Sequence, residues 1–119
     1  MANTQAMCTS FKGEILSGIH ALGTTVIRAG TGADTLKAAL YLASATVNAS
    51  TTAYSATNEV SGTNYSAGGI TVTNATAPTT SGTTGYWTPS ANFTYTNVTL
   101  ATAFDAVLVY NSTQSNKAI

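Results

Sequence analysis

The chain has 119 residues, with four Lys and Arg against four Asp and Glu, one histidine and one cysteine. A length of 119 residues fits one domain with its own core, so residues 1–119 are expected to form a single domain. Charged residues at only 7% remove the electrostatic footprint of a protein that binds phosphates or an anionic surface, so nucleic acid and membrane are not expected partners.

Near-zero net charge gives little colloidal protection and suits a chain whose faces become covered by neighbours. Val, Ile, Tyr and Phe recur at regular intervals, which separates this polar sequence from a disordered one. Abundant threonine, β-branched and half polar, fits pleated and partly exposed strands, so the expected class is mainly β. Cys8 alone excludes an intramolecular disulfide. Residues 1–5 lack the basic start and apolar run of a secretory signal, and no apolar stretch is long enough to span a bilayer.

In chain order, Phe11, Ile15, Leu16, Ile19 and Leu22 follow three-and-four spacing and predict a helix over residues 9–22, capped by Thr9 or Ser10 and weakened by Gly13 and Gly18. Residues 24–29 read as a short strand or extended connection and residues 30–34 as a turn. From Thr35 the pattern alternates, with Leu36, Ala38, Leu40 and Leu42 on the expected core face and Lys37, Ala39 and Tyr41 on the outer one. Residues 43–57, small and polar around Tyr54, read as either a functional loop or an extended arm, and residues 74–85 as a second exposed excursion. Between them, residues 58–70 form a shaped loop of two turns around Tyr65, leading into a strand at 70–73.

Tyr86-Trp87-Thr88-Pro89 holds the single tryptophan, a residue able to anchor the core or a partner surface, with the core favoured by its large apolar area. Phe93-Thr94-Tyr95-Thr96 alternates as a strand would, and residues 104–110, apolar on both faces except at Asp105, predict a central strand. Residues 111–116 turn the chain, and Lys117-Ala118-Ile119 reads as the opening of a return strand that the sequence does not complete. An edge left open there would be a template for strand exchange with a second copy. Strand pairs separated by Gly and Pro turns predict an antiparallel β-sandwich or jelly-roll-like domain with one N-terminal helix and polar arms.

Groups that move protons are few. His20 sits near the expected helix end, where its charge suits the dipole and no catalytic role is needed. One cysteine and one histidine fall short of a zinc site, and Asp34, Glu59 and Asp105 are too scattered to predict calcium. No phosphate loop or nucleophile elbow is present, so neither catalysis, a metal nor a cofactor is expected. Sequons begin at Asn48, Asn64, Asn74, Asn92, Asn97 and Asn111, as this much Ser and Thr produces by chance.

The central stretch Asn58-Glu59-Val60-Ser61-Gly62-Thr63-Asn64-Tyr65-Ser66-Ala67-Gly68-Gly69-Ile70 resembles a signature of small virion proteins encoded among the head and tail genes of tailed bacteriophages. The stretches Ala6-Met7-Cys8-Thr9-Ser10-Phe11-Lys12, Thr35-Leu36-Lys37-Ala38-Ala39-Leu40-Tyr41 and Asp105-Ala106-Val107-Leu108-Val109-Tyr110-Asn111 agree with it, so the resemblance spans most of the chain. Its nearest sense is the capsid decoration, or cement, proteins of such phages, those of cyanophages among them. Proteins of that kind continue past the turn at 111–116 with further hydrophobic strand, where this sequence stops at Ile119.

The resemblance implies a non-enzymatic protein made in the host cytoplasm and placed on the outer capsid surface. There it would bridge neighbouring major capsid proteins as a homo-oligomer. It marks Glu59, Gly62, Tyr65, Gly68 and Gly69 as the signature loop, with Tyr54, Tyr86 and Trp87 as candidate contact residues. Glu59 is expected to accept backbone N–H bonds and brace its loop, the alternative being an ion pair with a basic residue on the lattice or a sister subunit. Two other readings remain beside it: a tail, neck or fibre-associated virion protein, and a carbohydrate-binding β-sandwich stacking sugars on Trp87, Tyr86, Tyr54 and Tyr65.

Overall fold

A computed structural model describes residues 6–20, 22–23 and 32–119. The expected strand or connection at 24–29 and the first two residues of the turn at 30–34 lie outside the described residues. Elements run α1 (Thr9–Leu16), β1 (Leu36–Tyr41), β2 (Gly62–Thr63), β3 (Ile70–Val72), β4 (Thr79–Ser81), β5 (Thr84–Tyr86), β6 (Thr99–Leu100), β7 (Ala106–Asn111) and β8 (Lys117–Ala118). The protein is mainly β with one short helix, and every strand pairing among the described residues is antiparallel. Two compact units are formed, residues 1–28 with 75–90 and residues 29–74 with 91–119.

The second of these units contains a four-stranded sheet in the order β3-β1-β7-β8 and the small β2-β6 pair. β7 lies between β1 and β8, as its apolar faces predict, and pairs with β1 from Leu36↔Asn111 to Tyr41↔Ala106. β1 is buried on both faces, which corrects the expected assignment of one face to solvent. Ala39 and Tyr41, placed outward by the alternation, join Leu108 and Tyr110 in a core cluster. The cause is non-local: residues 43–57 fold back over that face, where Ala45, Val47 and Tyr54 pack on the cluster. Tyr54 stacks on Tyr110 with ring centroids 4.6 Å apart. The segment therefore is not a free arm; Ala53 bridges Lys117, and Tyr54 N–H donates to the Asn116 carbonyl. Leu36, Ala38, Leu40, Val60 and Val72 are buried as well, so both sides of the central strand contribute apolar burial.

The expected opening of a return strand pairs with β7 as the two-residue β8. It pairs Tyr110↔Ala118 and Asn111↔Lys117, after a turn in which the Asn111 carboxamide oxygen accepts the N–H groups of Thr113 and Gln114. At the start of β1, Asp34 accepts side-chain amides from Asn111 at 2.7 Å and Gln114 at 2.9 Å, tying the turn to the sheet. Residues 93–96 form no strand, and Phe93 is exposed. Tyr95 leaves the line instead and donates its hydroxyl to the Ala38 carbonyl.

In the other unit α1 packs on the β4-β5 hairpin, which occupies much of the expected 74–85 excursion. Contact is close because side chains are absent. A Cβ on Gly85 would lie 2.6 Å from that of Lys12, and one on Gly13 would lie 3.3 Å from the Thr80 methyl. The close approach rests on Gly85, since a Cβ at Gly13 would ask the Thr80 methyl to move by only a few tenths of an ångström.

The helix stops at Leu16 and not at residue 22, because Gly18 turns left-handed at φ 72°. Its N–H donates to the Ile15 carbonyl and that of Ile19 to the Glu14 carbonyl, both at 3.0 Å, the paired bonds of a Schellman ending. Cys8 occupies the N-cap without a side-chain cap bond, so Thr9 and Ser10 lie inside the first turn; the Cys8 thiol is free and exposed. His20 follows the helix, its Nε2 in hydrogen-bond contact with the Glu14 carboxylate and its ring set against that of Phe11. Trp87 is half-buried in this unit, outside the buried core, with its indole N–H on the Thr76 carbonyl at 2.8 Å.

Leu40 and Leu108 are 3% and 5% exposed. Truncating either to Ala should lower stability by about 2–5 kcal/mol, read as a fall in the urea midpoint at unchanged m-value.

Candidate functional site: a carboxylate and its tyrosines

The site begins with a break in the sheet. β3 pairs with β1 as far as Ala38↔Ile70, and a second segment takes over the same edge at Leu40, where Val60 N–H donates to the Leu40 carbonyl and Tyr41 bridges Glu59. Between these two partners the chain makes the loop 61–69, so the backbone groups of β1 at the junction need donors and acceptors from elsewhere. Phenols supply them. Tyr65 Oη accepts the Leu40 N–H at 3.0 Å, and Tyr95 Oη donates to the Ala38 carbonyl at 2.7 Å.

Glu59 stands at the centre. Its Oε1 accepts the Tyr65 hydroxyl and the Gly68 N–H, each at 2.7 Å, and its Oε2 accepts the Tyr54 hydroxyl at 2.7 Å. Tyr110 Oη donates to the Gly68 carbonyl at 2.8 Å, and Tyr41 Oη to the Ser55 carbonyl. One carboxylate therefore joins the arm-like segment through Tyr54, the loop through Gly68 and the sheet through Tyr65. Bonds to a charged acceptor are the stronger kind, and no buried polar side-chain atom among the described residues lacks a partner.

Backbone conformation fixes the loop. Asn58 and Asn64 both have φ 60°, and Gly68 and Gly69 have φ 87° and 72°. Gly69 is the most constrained of these: a Cβ there would lie 1.7 Å from the Ala38 carbonyl oxygen, so the loop crosses β1 only with glycine at this point. Gly62 lies in β2, where the backbone of Thr99 fills the position a Cβ would take.

Burial raises the pKa of Tyr54 and of Tyr65, and the hydrogen bond and charge of Glu59 raise both further, against the Leu40 N–H, whose bond to the Tyr65 oxygen favours the phenolate and lowers the Tyr65 value. Tyr41, Tyr95 and Tyr110 are raised as well, by burial first and by the same carboxylate.

Of the residues singled out in the sequence, Glu59, Tyr54, Tyr65, Gly68 and Gly69 meet here, with Gly62 at the start of the loop. Tyr86 and Trp87 belong to the other unit. Sequence reasoning gave Glu59 a bracing role but missed its phenol partners Tyr54 and Tyr65, and it missed Tyr95 and Tyr110 entirely. The sole signal available was that tyrosine is twice as frequent as phenylalanine, six against three, which favours sites needing a polar tip on an apolar ring.

Chemically the arrangement holds shape. Each carboxylate oxygen is engaged by internal donors, and no group of three or more His, Cys, Asp or Glu among the described residues is placed to hold a metal ion. No helix among the described residues is long and apolar enough to cross a membrane. No protein-family model, curated protein or solved structure matches the chain.

Replacing Glu59 by Gln leaves one acceptor oxygen for three donors, and Tyr65→Phe strips the Leu40 N–H of its acceptor. Each should cost about 1–3 kcal/mol, with increased amide exchange at Leu40 and Gly68 as the local readout.

The raised tyrosines also set a pH response. Below about pH 10, the ordinary tyrosine value, both folded and unfolded chains keep these protons and the stabilisation is present in full. Above it the unfolded chain releases protons that the folded chain retains, so stability should fall as pH rises through and beyond that value. Denaturant midpoints across the alkaline range, paired with phenolate absorbance, check this; a flat midpoint would contradict it.

Proposed function

We propose that this protein is a non-enzymatic structural component of a tailed-phage virion, acting as a capsid decoration protein. In this reading it is made in the host cytoplasm and binds the outer shell as a homo-oligomer, bridging neighbouring major capsid proteins. The observation that carries the reading is the use made of Glu59. The acid of the signature stretch spends both oxygens on Tyr54, Tyr65 and Gly68 of its own chain, as expected of a motif that preserves a shape. The near absence of charge supports it further, since a face to be buried against neighbours incurs little desolvation cost when it carries few ions.

The proposal extends to architecture, with the four-stranded sheet as one layer of a sandwich- or jelly-roll-like body in the particle. It also assigns the contacts. Residues 43–57 are committed to their own sheet, which leaves the β4-β5 hairpin, whose strands expose Thr79, Thr80, Ser81, Thr84 and Tyr86, as the segment to lie on a neighbour beside Trp87.

Many weak clamps sum over a particle, so shells lacking the protein should assemble yet release DNA at a lower temperature than complete ones. Restored heat resistance on adding the purified protein is the expected result. Particles that keep full heat resistance but fail to attach tails would move the protein to the neck or tail, and a low copy number per particle would do the same. Shortening the β4-β5 hairpin should weaken shell binding more than it lowers the denaturation midpoint of the sheet.

A further inference from the structure

The two faces of the four-stranded sheet are covered unequally. The face that carries Ala39, Tyr41, Leu108 and Tyr110 lies under residues 43–57. On the opposite face the half formed by β1 and β3 is buried at Leu36, Ala38, Leu40 and Val72. The half formed by β7 and β8 is not: Val107 is 43% exposed and Ile119 70%, with Val109 half-buried beside them. These three share one surface. Val107 and Val109 are two apart in β7, and Ile119 N–H donates to the Val109 carbonyl at 3.0 Å, continuing the register of Tyr110↔Ala118.

Charge stands at the two ends of this apolar strip. Lys117 is exposed opposite Asn111. Asp105 is exposed at the other end, where its N–H donates to the Tyr41 carbonyl just before β7 begins. Neither is in an ion pair among the described residues, and Asp34, the other charge near Asn111, has its two oxygens on the amides of Asn111 and Gln114.

We propose that the strip binds a second copy of the chain across a two-fold axis at the level of Leu108. Val107, Val109 and Ile119 of the two copies then meet at the centre, and each Asp105 faces Lys117 of the other copy. The order acid, apolar, base selects this occupant. Under a two-fold axis the copies run antiparallel, so apolar centre meets apolar centre and both ends pair opposite charges. Leu108 is midway between positions 105 and 111 and the valines flank it equally, so one axis serves the charges and the apolar residues together. Packed sheets lie about 10 Å apart and neighbouring strands about 4.8 Å, which brings Lys117, one strand over from β7, within reach of the facing carboxylate. Strand addition is closed on this side, because the outer edge of β8 already takes the Ala118 N–H to Thr52 carbonyl bond and the Ala53↔Lys117 bridge.

A strip two strands wide is small against the roughly 800 Å² per partner of a standard interface, so the dimer is weak in free solution and gains from a surface that holds copies close. The inference names the self-contact of the homo-oligomer proposed above and rests on that reading only for its setting. Its test uses purified protein without shells, so a protein that pairs but fails to protect shells sinks the virion reading alone, and one that protects them without this contact sinks the inference alone.

Sedimentation equilibrium from about 0.01 to about 2 mM should show a monomer–dimer equilibrium with a dissociation constant on the order of 0.1–1 mM, with amide shifts on dilution centred on residues 105–109 and 117–119. Val107→Glu, which sets like charges beside the axis, should leave a monomer throughout. Asp105→Lys and Lys117→Asp, both at exposed positions and so independent of how Val107→Glu folds, should each weaken association roughly tenfold. An equimolar mixture of those two variants, in which both end pairs are opposite again, should recover about the native affinity. A chain that stays monomeric over the whole range would overturn the proposal. So would a dimer that the three substitutions leave unchanged, or charge variants that their mixture does not restore.

Discussion

The second unit depends on how the edge of β1 is completed. A strand in the middle of a sheet needs partners for its backbone groups along its whole length, and an unmet buried N–H or carbonyl costs about as much as a well-formed hydrogen bond returns. Here two separate segments share one edge, β3 up to Ala38 and residues 58–60 from Leu40, with a loop emerging between them. Tyr65 and Tyr95 bridge the interruption with their hydroxyls. Because Tyr65 must both accept from Leu40 and find an acceptor for its own proton, Glu59 is drawn in, and through it Tyr54 and Gly68. The loop, the folded-back segment and the sheet are thereby fixed by one connected set of hydrogen bonds.

Such a set also explains how a chain so rich in Thr, Ser and Asn acquires a defined core. The cluster of Ala39, Tyr41, Leu108 and Tyr110 is small, and its two tyrosines add packing area while their polar tips secure surrounding loops. The pKa values of the same rings are raised, by burial first and by Glu59 next to them, since a phenol buried beside a carboxylate resists ionisation. In the helix–hairpin unit the opposite device operates. Gly85 lets the hairpin backbone approach that of the helix at Lys12 and Gly13 by offering no side chain, and selectivity comes from fit instead of from a polar network.

Function, in the proposed reading, follows from surfaces and not from a reactive centre. Polar strands of low charge can mate with a neighbour without stripping many ions of water.

Much was readable from the chain alone. Alternation at 35–42 and the apolar run at 104–110 located the two long strands, because period-two patterning depends only on neighbours in sequence. The glycines at 62, 68 and 69 marked the shaped loop, although only Gly68 and Gly69 take the left-handed backbone that glycine favours and Gly62 is needed for the close approach of Thr99, and Glu59 was legible as its brace. What the sequence could not supply was whatever depends on chain segments far apart meeting. Which face of β1 carries the cluster was decided by residues 43–57 folding over it, and where the helix ends was decided by Gly18 taking a left-handed turn in place of one more helical residue. The partners of Glu59, Tyr95's place on β1 and the short closing strand β8 are likewise tertiary outcomes. Local pattern fixes which residues can form strands and turns; only packing decides which unpaired backbone groups remain, and so which distant side chains must come to meet them.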